Sequence, residues 1–77
     1  MISVVYNRVI GRSYVLVTGL EDGRWELTAV YSPSECPWMQ TFVAERGIFD
    51  DQATAISRAL RVTRWLIMLG VDDLVDA

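Results

Sequence analysis

Residues 12 to 32 read RSYVLVTGLEDGRWELTAVYS, two runs rich in β-branched and aromatic residues hinged on Asp22-Gly23. That hinge is the strongest local constraint in the chain. Both of its residues tolerate the positive φ that a tight hairpin turn demands. The first run, 12 to 19, reads as a strand. In the second, 24 to 32, Trp25, Leu27, Ala29 and Tyr31 alternate with Glu26, Thr28 and Val30. A period of two marks a half-buried antiparallel strand.

Around this hairpin the remaining elements fall into order. SPSECP, 32 to 37, holds two prolines and reads as a loop. WMQTFVAE, 38 to 45, reads as the next strand, with Trp38, Gln40, Phe42 and Ala44 on one side and Met39, Thr41 and Val43 on the other. Both sides are fairly apolar, so the strand has no evident orientation. RGIFDD then supplies a glycine turn and helix-start chemistry: Asp50 or Asp51 caps the orphan amides, and the second carboxylate favours the positive end of the helix dipole. The helix is expected from about residue 51 to Leu69, with Gly70 as its C-terminal cap. Upstream, MISVVYNRVIG is either a short extra strand, by the alternation of Ile2, Val4 and Tyr6, or the leading half of one long strand bent at Gly11. The tail, VDDLVDA, either adds a helical turn or frays.

The expectation is a single α+β domain over residues 1–77: an N-terminal segment at 1–11, an antiparallel meander at 12–45, a helix at 50–69 and an acidic tail at 70–77. It has two layers, a three- to four-stranded antiparallel sheet with one long C-terminal helix packed on one face. One helix covers one face only, so the other sheet face meets water or another molecule.

The residues that carry difficult chemistry are scarce. Histidine is absent, which removes the commonest general base and metal ligand. Cys36, the one cysteine, sits between Glu35 and Pro37, and a neighbouring carboxylate raises a thiol's pKa instead of activating it. The pairs Glu21-Asp22, Asp50-Asp51 and Asp72-Asp73 each have a structural reading, in the turn, the helix cap and the tail. The five glycines are scattered, so no phosphate-cradling loop forms. These absences argue against an enzyme, with no catalytic, cofactor or metal site expected.

Seven arginines against ten carboxylates give a net charge of −3, which disfavours a sequence-independent grip on nucleic acid. A lone cysteine and no charged, apolar leader favour the cytoplasm. The longest apolar run, WLIML at 65 to 69, is far short of the roughly 20 residues of a membrane span.

The segment ISRALRVTRWLIMLG, 56 to 70, has more apolar residues than one face needs. At about 100° per residue, Ile56, Ala59, Leu60, Thr63, Leu66 and Ile67 fall within about 120° and are read as the sheet-facing stripe. Roughly opposite, Val62, Trp65 and Leu69 form a narrower stripe beside Arg58, flanked by Arg61 and Met68. Three accounts of this outer stripe stand: cover by the chain's own ends, an interface anchored by Trp65 with arginines at its rim, or a misassigned face or scattered exposed apolar residues. Arg58, Arg61, Val62, Trp65, Met68 and Leu69 are therefore the candidate interface.

Two short stretches, DGRW at 22–25 and FDDQATAI at 49–56, lie in a β-β-β-α order. In this the chain resembles small, uncharacterised bacterial β-β-β-α domain proteins, and it is distantly similar to the N-terminal half of HicB-type antitoxins. It departs from those antitoxins in lacking their proline-glycine-cysteine strand-end motif and a separate DNA-binding domain. No functional residue carries over.

The functional expectation is a non-catalytic protein–protein interaction module, associating with itself as a homodimer or with another protein, through the outer helix face or an exposed sheet face. The apolar content, 52% hydrophobic residues in 77, is high for so small a domain and supports it. Two alternatives are a small-ligand or peptide-binding domain using the sheet face, with Trp25 or Trp38 lining it, and a phage- or mobile-element-type inhibitor or antitoxin-like protein.

Overall fold

A computed structural model of the chain describes residues 3–32 and 42–76, with the side chains of residues 42 and 70–76 outside the description. Four strands, β1 (Ser3–Ile10), β2 (Ser13–Gly19), β3 (Trp25–Tyr31) and β4 (Phe42–Phe49), precede one helix, α1 (Gln52–Asp76). Each strand pairs antiparallel with the next in the order β1-β2-β3-β4, and α1 packs on one face of the sheet. The two-layer α+β expectation holds, with four strands where three or four were expected. The segment before the hairpin is a strand of its own, and Gly11 reverses the chain at φ 61 where a bent single strand was the alternative.

The Asp-Gly hairpin forms as its residues require. Gly23 takes φ 88, and its amide donates to the Leu20 carbonyl at 3.1 Å. The Leu20 amide donates to the Arg24 carbonyl at 2.8 Å. Asp22 accepts from the Arg24 amide at 3.0 Å and from Arg24 Nε at 2.8 Å, so the turn carries its own ion pair. Gly19, at the end of β2, faces Trp25 across the ladder; a Cβ there would lie 2.9 Å from the indole ring. The ring occupies the space that a side chain at this position would need.

β4 ends later than the expected 38–45. Its first described residue is Phe42, and it runs through Gly47, a turn by the sequence expectation, to Phe49. The register gives the reason: Leu27 pairs with Gly47 and Trp25 with Phe49, so β3 keeps a partner along its whole length only if β4 continues past the glycine. Residues 38 to 41 of the expected strand lie outside the described residues.

The helix starts where the cap was expected. Asp51 Oδ2 accepts from the Thr54 amide at 2.9 Å and from the Thr54 hydroxyl at 3.0 Å, satisfying one of the orphan amides of the first turn. Its other end differs from expectation, because α1 passes through Gly70 to Asp76. A glycine ends a helix by adopting the left-handed region, and the described glycines with positive φ are Gly11 and Gly23. In a helical conformation Gly70 costs only about 1 kcal/mol relative to alanine, too little to stop a helix by itself.

The face that α1 turns to the sheet also differs. Ala55, Ala59, Val62 and Leu66 are buried with Val15, Val17, Leu27 and Ala29, and Leu69 packs against this cluster. Their spacing of four, three, four and three residues is the narrow seam of a helix lying along a surface. It runs between the two expected stripes. Leu60 and Ile67, expected inside, are exposed, whereas Val62, expected outside, is 5% exposed. The alanines explain the rotation: two small residues let the helix approach closely, and the bulkier side chains splay to either side. Thr63 remains buried by a polar route. Its hydroxyl donates to the Ala59 carbonyl at 2.7 Å, which leaves its oxygen to accept from Tyr6 of β1 at 2.8 Å.

Candidate functional site

The two long sides of α1 are chemically different. Toward β1 the contact is the neutral Tyr6–Thr63 hydrogen bond. Toward β4, Glu45 stands on the helix side of the sheet as the register partner of Ala29, and Arg58 donates to it as an ion pair. Beyond that pair a depression of about 240 Å³ is lined by Glu45, Arg58, Arg61, Val62 and Trp65. Arg58 and Arg61 also line an adjoining depression of about 420 Å³ that reaches Phe49 and Ala53.

Of the six candidate interface residues, Arg58, Arg61 and Trp65 therefore share one groove, and Trp65 is 50% exposed beside it. Val62 contributes only the floor, since its side chain belongs to the core. Leu69 is partly buried against the same core, so it is not on an outer face either. Met68, 65% exposed, lies away from the groove lining. The expected outer stripe thus divides into a core half and an exposed half, because its angular centre is close to the true seam.

A second surface emerges on the sheet face opposite α1. The register aligns Val9, Tyr14, Val30 and Val43 in one row across all four strands. Leu16 follows in the next row, and Val4 and Ile48 stand at the far corners. Val4, Val9, Val43 and Ile48 are at least half exposed. The strand charges on this face are Glu26 and Arg46, which lie 3.6 Å apart and offset one another. The uncovered face of an antiparallel sheet is ordinarily polar. Here the signal was present in the unbroken run YVLV of β2, which places apolar residues on both sides, but without a register it named no residues.

Trp25 does not line that face. It is half-buried on the helix side, over Gly19, as its alternation with Leu27 and Ala29 requires. Trp38 and Cys36 lie outside the described residues.

Three of the described carboxylates serve the fold. Asp51 caps α1, Glu45 holds Arg58, and Asp22 holds Arg24. The Arg24 guanidinium, hydrogen-bonded to Asp22, keeps that carboxyl below its usual range, and Asp22 in turn raises Arg24. Among the described residues no three His, Cys, Asp or Glu side chains converge as metal ligands, and no buried side-chain polar atom lacks a partner. No helix among them is long and apolar enough to cross a membrane. No protein-family model, curated protein or solved structure matches the chain.

Proposed function

We propose that this protein is a non-catalytic protein–protein interaction module, cytoplasmic, that self-associates by stacking the open faces of two sheets. The observation that carries the reading is the apolar row Val9–Tyr14–Val30–Val43 on a face that no part of the described chain covers. Two sheets packed face to face bury such rows at a separation of about 10 Å.

Charge separates this surface from the outer side of the helix. A two-fold contact sets each patch against its own copy. On the helix that would place the exposed Arg61 and Arg64 of one chain near those of the other, a repulsive arrangement. On the sheet the internally neutral Glu26–Arg46 pair leaves nothing to repel. Size agrees as well. Four strands of seven or eight residues make a footprint of roughly 500 Å² per chain, so two chains bury on the order of 1,000 Å², the lower limit for a specific interface.

Sedimentation across a concentration series tests the reading. The dimer is expected to dissociate on dilution and to be abolished by Tyr14→Glu, while Trp65→Glu leaves it intact. A monomer at all concentrations, or a dimer indifferent to Tyr14→Glu, overturns it.

A further inference from the structure

We infer that the groove between α1 and β4 receives an extended segment of another protein, which adds as a fifth strand and presents a carboxylate to Arg61 and an aliphatic side chain to Trp65. Among the described residues β4 is hydrogen-bonded to β3 alone, so its other edge presents amides and carbonyls that no described strand pairs. An incoming strand finds these main-chain groups at any sheet edge, and pockets for alternate side chains then select its sequence. At this edge the selecting pockets exist. The two adjoining depressions run beside α1 from Ala53 to Trp65, a rise of about 18 Å, which is the length of roughly five extended residues.

The lining states what those residues should be. Arg58 is engaged by Glu45 of β4, but Arg61, one turn on, makes no ion pair with any described residue. Its guanidinium is an exposed fork with no ion-pair partner among the described residues, in a chain of net charge −3, a local reversal of sign that fits a carboxylate. Trp65 follows Arg61 by a rise of about 6 Å along the helix, close to the roughly 6.8 Å between alternate side chains of a strand. A carboxylate at one position and an aliphatic residue two places away therefore meet the arginine and the half-exposed indole together.

A second copy of this chain is a poor occupant. Two-fold pairing of β4 with β4 would bring both sets of Arg58 and Arg61 onto the same side of the joined sheet. The proposed sheet-stacking contact lies on the opposite face, so the two contacts are compatible and independent.

The test is an NMR titration of the full chain with a synthetic peptide, Thr-Asp-Thr-Val-Thr-Asp-Thr-Val-Thr, and with its Lys-for-Asp counterpart. The Asp peptide is expected to shift the amides of residues 43–49, slow their hydrogen exchange, and bind more weakly at high salt. Arg61→Glu, at an exposed position, is expected to weaken it about tenfold or more and to reverse the preference toward the Lys peptide. Absence of shifts at millimolar peptide, equal binding of the two peptides, or shifts confined to Val9, Tyr14 and Val30 overturns the inference. Tyr14→Glu, which removes the proposed dimer, leaves this binding unchanged, so either proposal can fail without the other.

Discussion

On the side of the sheet beneath α1, Val15, Val17, Leu27 and Ala29 are fully buried; on the other side, one residue along each strand, Tyr14 is exposed and Leu16 and Val30 are half-buried, with no described element packed over them. The same strands, alternating by the same period, supply both sets. They differ in what lies above them. The covered face is closed by a helix whose alanines let it sit close, whereas the open face has an apolar row and one internally neutral ion pair. Comparing them separates residues that stabilise the chain from residues that are available to something else.

The sharpest way to break the comparison is to truncate the covered face. Leu66→Ala or Leu27→Ala should cost about 2–5 kcal/mol in urea unfolding, because the side chains are fully enclosed and leave a cavity. A cost near zero would mean that α1 does not close this face in solution.

Smaller effects follow where the cover is fastened. Asp51→Ala removes the cap of α1 and should cost about 1 kcal/mol, with Asp51→Asn retaining most of it. Tyr6→Phe deletes the hydrogen bond to Thr63 on the β1 side and should also cost about 1 kcal/mol, read in the same denaturation experiment.

On the open face Val9→Thr should change the stability of the dilute chain by less than about 0.5 kcal/mol, since its side chain is already in water. At high concentration the same substitution should weaken association. A loss in dilute solution as large as that of Leu27→Ala would show the open face to be covered by the chain itself.

The smallest effect lies away from both faces. Arg24 lowers the pKa of Asp22, so the turn gains stability that is present above the ordinary carboxylate value of about 3.9 and lost as pH falls through the lower folded value. A carboxyl titration by NMR should find Asp22 titrating below that value, and Arg24→Ala, which keeps the residue-24 amide bond to the carboxylate, should raise it only part of the way back.

How much of this was legible depended on the range of the physics involved. The Asp22-Gly23 turn, the alternation of β3 and the Asp51 cap are settled between residues a few places apart, and each stands in the structure where the sequence puts it. The register of β4 was not legible, because Gly47 has the composition of a turn and is kept in the strand only by pairing with Leu27. The seam of α1 was not legible for a related reason. Apolar residues lie nearly all around this helix, so periodicity alone admitted two stripes, and two alanines of little hydrophobic weight marked the true contact.

By itself, then, the sequence determined the element types, the antiparallel hairpin, the single long helix and the excess of apolar residues, all of which follow from local backbone preference and composition. Only the tertiary structure decided which of those residues are core, that Val62 is among them, and that Val9, Tyr14, Val30 and Val43 form one row. It also decided that Arg61 and Trp65 share a groove with β4. The reason is physical: faces and rows are defined by strand register and helix rotation, and both are chosen by packing between segments far apart in the chain.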